Sequence, residues 1–139
     1  MSVIRGCCDS GGSDVVVAAG TYTPDVTPVA PGTLVAAVAD TFMYQRVGNI
    51  VHVSGALDVT PASLAGDNEI DVSLPIAAMS LASLSGHCTG NSLPGSFDVM
   101  NVQGNVRNGG IAARAFFSLA INNAPSPFRL DVSFTYLLT

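Results

Sequence analysis

Apolar and polar residues alternate with period two over much of this chain. In residues 128–138, "FRLDVSFTYLL", Phe128, Leu130, Val132, Phe134, Tyr136 and Leu138 fall on one side and Arg129, Asp131, Ser133 and Thr135 on the other. Successive side chains of a strand point to opposite faces, so the pattern predicts a strand with one buried and one wet face. "NEIDVSLP" repeats it: Ile70, Val72 and Leu74 alternate with Glu69, Asp71 and Ser73 and stop at Pro75. The segment "GGIAARAFFSLAINN" is apolar on both sides, with Ile111, Ala113, Ala115, Phe117, Leu119 and Ile121 on one. Its other side holds Ala112, Arg114, Phe116, Ser118 and Ala120. The alanines suit a helix, but the glycine pair before it, "NNAPSP" after it and the alternation of its larger side chains favour a strand.

"YQRVGNIVHVSG" reads as a hairpin. Gly48 and Asn49 form a two-residue loop with glycine first, which predicts a type II′ turn. Beyond the turn Val51, Val53, Leu57 and Val59 share one face, and Ile50, His52, Ser54 and Ala56 share the other. The first face fits a core; the second, mixed face can pack on a neighbouring subunit. Only "LPIAAMSLASLSG" offers a helix, and Pro75 with its serines makes a loop followed by a strand the better reading.

Many short strands with regular turn signals and no helical repeat predict an all-β protein, an antiparallel β-sandwich of jelly-roll type. The Gly-, Ser- and Asp-rich start reads as a flexible lead-in over 1–19, followed by a single domain over 20–139. "GTYTPDVTPVAPGT" spreads three prolines over a short stretch, which predicts an extended segment at a sheet edge or on the surface.

Composition sharpens this picture. Of 139 residues 48% are hydrophobic and only 11% charged, against about 25% in a typical domain. So little surface charge favours association through a subunit interface. There is no lysine; the positive residues are Arg5, Arg46, Arg107, Arg114 and Arg129, scattered in a chain of net charge −5. Phosphate affinity comes from clustered basic residues, so nucleic acid and anionic membrane surfaces are poor partners. No run approaches the roughly 18 apolar residues of a membrane-spanning helix, and the N-terminus lacks the layout of a signal peptide.

The chemistry-bearing residues form no convincing catalytic set. Cys7 and Cys8 are adjacent, where a mutual disulfide would strain the backbone; free thiols, or a link between subunits near a symmetry axis, are the two readings. His87 and Cys88 are neighbours, and adjacent side chains on a strand point apart, whereas a nucleophile and its base must meet. Neither cysteines nor histidines have zinc-ligand spacing. Asp67, Glu69 and Asp71 could offer oxygen ligands to calcium, but without a calcium-loop spacing they read as the wet side of a strand. No cofactor, metal site or enzymatic activity is expected.

Several of these pieces recur together elsewhere. "GTYTP" at residues 20–24 is followed by a hairpin carrying Tyr44, Arg46, Val47, Gly48, Asn49, Val51, Val53, Ser54 and Gly55. "LPIA" at residues 74–77 and "FTY" at residues 134–136 follow in order. In this order and spacing the chain resembles a module of bacteriophage tail-fibre and other virion proteins, also found in some large DNA viruses. The resemblance implies a small β-sandwich that assembles as a homotrimer and forms an exposed or terminal part of a virus particle. Expected partners are then other copies of the chain, other virion proteins, or a host surface receptor or glycan, in a virion or an infected cell. Such modules sit at the end of a long fibre, whereas here little precedes "GTYTP", which suggests a free-standing viral protein.

On this basis the chain reads as a non-enzymatic structural or host-attachment protein. Ile50, His52, Phe116 and Phe117 are the expected trimer contacts. The alternatives are a lectin-like glycan-binding module, with Tyr22 and Tyr44 as sugar platforms in a chain without tryptophan, and a viral factor acting through protein contacts in the host cell.

Overall fold

The structure is a computed structural model and describes residues 2–5, 15–29, 34–61, 65–78, 80–92, 102–120 and 127–138. Cys7, Cys8 and Ile121 lie outside these residues. The described chain is all-β, with strands β1 Ser2–Arg5, β2 Val16–Tyr22, β3 Val26–Val29, β4 Leu34–Ala39, β5 Phe42–Val47 and β6 Ile50–Pro61. They are followed by β7 Ala65–Val72, β8 Ser85–Ser92, β9 Val102–Asn108, β10 Ala113–Ala120 and β11 Phe128–Leu137. Residues 16–19 of the expected lead-in therefore belong to β2, and residues 2–5 to β1.

All pairings are antiparallel and join the strands into one sheet in the order β1, β2, β5, β6, β11, β8, β9, β10, β7, β3. Strand β6 is shared: its first half, from Ile50 to Ser54, pairs with β5, and its second half, from Leu57 to Pro61, pairs with β4. The far edge β3 returns to lie beside β4, so the sheet curls strongly around one core. Ring contact across the interior shows the same curl, since Phe117 of β10 meets Phe128 of β11 edge-on at 6.0 Å although two strands separate them in the sheet.

The period-two reading explains which residues the curl encloses. Phe128, Leu130, Val132, Phe134 and Tyr136 are buried on β11, as are Val51, Val53, Leu57 and Val59 on β6 and Ile70 and Val72 on β7. Residues 113–120 form a strand, with Ala113, Ala115 and Phe117 inward. Ile111 departs from its expected face: it precedes the strand and is 95% exposed beside Gly110, which sits at φ 99°. Gly48 adopts φ 59° with Asn49 at negative φ, the signs of a type II′ turn.

Tight curling needs bare backbone on the inner face. A Cβ on Gly55 would come within 2.1 Å of the Phe42 ring, on Gly86 within 2.1 Å of the Ser133 carbonyl, and on Gly104 within 2.1 Å of the Phe116 carbonyl. In strand interiors such glycines mark a close approach of neighbouring groups. The irregular residues 73–78 and 80–84 pack on the core, with Leu81 and Leu84 buried. They are tied down by the Tyr22 hydroxyl donating to the Ser73 carbonyl at 3.0 Å and the Tyr136 hydroxyl donating to the Ile76 carbonyl at 2.7 Å.

Candidate functional site

On the outer face, the residues not needed by the core collect into two regions. The first follows from the switch in partners along β6. Where β4 ends and β5 begins, Asp40 and Thr41 turn the chain away, and the Asp40 amide donates to the Ala56 carbonyl at 3.0 Å. This corner leaves a groove of about 440 Å³ over β6, β11 and β8, open to solvent. It is lined by Gly55, Ala56 and Val132 and by the hydroxyl-bearing Thr41, Ser54, Thr89 and Ser133, with Met43 of β5 on one side and His87 of β8 on the other. A recess of about 120 Å³ shares Met43 and Ser54 with it and adds Gln45 and His52.

The charges of the groove are Asp40, Asp131 and Arg129. Arg129 donates to Asp40, and to Asp58 at 3.4 Å just beyond the groove. The hydrogen bond to Asp40, with the fields of Asp40, Asp58 and Asp131, raises the Arg129 pKa further above its ordinary value, against a smaller effect of burial. The guanidinium is thus surrounded by carboxylates, which outnumber it.

The second region lies on β7, β9 and β10. Arg114 makes a two-pronged pair with Asp71, at 2.7 and 3.0 Å, and reaches Glu69 at 3.4 Å. Arg107 binds Glu69 at 2.9 Å and lies 4.7 Å above the Phe116 ring. Asp67 accepts a hydrogen bond from Ser118. The three acidic residues of "DNEID" are thus taken up by arginines and a hydroxyl. Among the described residues no group of three or more His, Cys, Asp or Glu is placed to hold a metal ion.

The residues singled out from the sequence separate clearly. Phe117 is 1% exposed within the core of a single chain, which removes it from the expected trimer contacts. Phe116 is half-buried under Arg107. Ile50 and His52 stay on the outside, His52 bonded through Nδ1 to the Thr135 hydroxyl at 2.9 Å. Tyr44 is buried, which leaves it little face to offer a sugar, and the half-buried Tyr22 ring packs edge-on against Phe42 and Tyr44 with its hydroxyl engaged. Burial also raises the Tyr22 and Tyr136 pKa values. His87 and Cys88 point to opposite sides of β8, the thiol fully buried and pushed up to about 11 by desolvation.

Two features escaped the sequence reading. The groove arises because one strand serves two partners, which no local pattern announces. The other is a row of exposed apolar side chains across three strands: Val47 at 54%, Ile50 at 50% and Leu137 at 38% are cross-strand neighbours on β5, β6 and β11. Val16 is exposed close by, its carbonyl accepting from the Gly48 amide. The apolar residues flanking Gly48 were the signal for it.

Comparison with known proteins gives no match: no family model, no curated protein and no solved structure is significantly similar to this chain. No helix among the described residues is long and apolar enough to cross a membrane.

Proposed function

We propose that this chain is a non-enzymatic viral structural or host-attachment module that works as a homotrimer. The observation that carries the assembly is the row Val47, Ile50 and Leu137 beside the hairpin turn, an apolar strip on an outer face that a second copy would cover. Low overall charge points the same way. Its viral setting rests on the sequence resemblance, and the roles of the residues that carry it support reading them as a fold signature. Gly20 lies against Tyr44, Gly48 makes the turn, Gly55 admits Phe42, and Tyr136 ties down the segment that contains "LPIA". The curl of the sheet is, on this proposal, that of a jelly-roll sandwich, with β10 and β11 facing each other across the core.

Light scattering on the purified chain tests the assembly directly. A particle of three times the 14.1 kDa chain mass is expected; a stable monomer at micromolar concentration would overturn it.

A further inference from the structure

We propose that the outer-face groove is a binding site for a short, neutral saccharide. The proposal deepens the attachment reading above and rests on it for its biological meaning, although one protomer supplies the whole groove.

The groove is built on rigid parts. Its floor and walls are strands with paired neighbours, Gly55 is held against Phe42, and the corner at Asp40 is fixed by its backbone bond to Ala56. A volume of about 440 Å³ lies within the range of small-molecule sites, roughly 300–1,000 Å³. Its four hydroxyls each donate and accept, which suits a ligand whose own groups are hydroxyls doing the same. Asp131 and Asp40 add acceptors, and Met43, mostly exposed, offers the apolar contact a sugar ring needs.

Charge narrows the class. Arg129 is occupied by Asp40 and Asp58, with Asp131 close enough to act on it. Phosphate, sulfate or sialic acid would meet a surplus of carboxylates in a chain of net charge −5. A neutral polyol meets no such penalty. An aromatic platform is not part of this site, so binding is weak per protomer and gains strength only from several copies.

The test is saturation-transfer NMR and a glycan array on the intact protein, with neutral galactose-, glucose-, mannose- and N-acetylglucosamine-terminated oligosaccharides beside sialylated and sulfated ones. Neutral sugars should bind, and binding should fall at least tenfold in Ser54→Tyr, which fills the groove from an exposed strand position, and in Asp131→Asn. Both variants are first checked for native circular dichroism, and either one folded is sufficient. No neutral sugar bound, binding of acidic glycans only, or undiminished binding in the folded variants would each overturn the proposal. Scattering on the same samples keeps the two readings apart: sugar binding by a protein that proves monomeric supports the groove and removes the trimer.

Discussion

A methyl group at position 55 would stand 2.1 Å from Cδ1 of Phe42, inside the atoms of a buried ring. Gly48 faces open space and is constrained only by its φ of 59°. The two positions make a controlled pair. Gly55→Ala should cost about 1–3 kcal/mol through overpacking, and Gly48→Ala about 1 kcal/mol through left-handed strain, as read from urea melts; the opposite ranking would show that Phe42 has room to move. Ionisable groups in the core set a second expectation. Cys88 is raised from 9.0 to about 11 and Tyr136 from 10.0 to about 12, mainly by burial, and Tyr22 is raised too. Folded chains keep these protons at a pH where unfolded chains release them. Their contribution is therefore complete below about pH 9 and is lost as pH climbs through 11 and 12. Urea midpoints measured across this alkaline range should fall steadily, and a flat profile would mean that the three groups are hydrated.

Among the elements, β7 and β10 are joined by more than their ladder, because Arg114 crosses from one to the other to hold Asp71 and Glu69. These side chains are about a quarter exposed, so the pair is partly screened. Arg114→Gln should lower stability by about 0.5–1 kcal/mol at low ionic strength and by less in molar salt; denaturant titrations at two salt concentrations decide it. Strands of this kind were legible in the sequence, since β11 carries a large apolar side chain at every second position and β7 ends on the alternating pair Ile70 and Val72. Strand β8 was harder to read because its inward positions Gly86, Cys88 and Gly90 are small, so alternation exists without large residues to display it. Strand β2 was masked by the small, polar text around it and is held in place by β5, a partner far along the chain. The groove was beyond local reading altogether: Asp40, His87 and Arg129 meet only through the shared edge of β6 and the curl of the whole sheet.

At the level of the whole molecule, burial and exposure divide the apolar residues into those that fold one chain and those left over. Ile50 belongs to the second set and Phe117 to the first. Ile50→Asp should leave the melting of the protomer nearly unchanged while reducing the mass in light scattering to one chain, whereas Phe117→Asp should prevent folding outright. A trimer that survives Ile50→Asp would place the subunit contact elsewhere. The enclosed core has one more consequence, centred on Cys88. Its sulfur lies 3.9 Å from the Asn105 carbonyl and 3.8 Å from the Phe116 carbonyl, among strands β8, β9 and β10, and is fully buried. An alkylating reagent can reach it only when those strands part. In a chain carrying Cys7→Ser and Cys8→Ser, the labelling rate of Cys88 becomes an internal clock for how often the curled sheet opens.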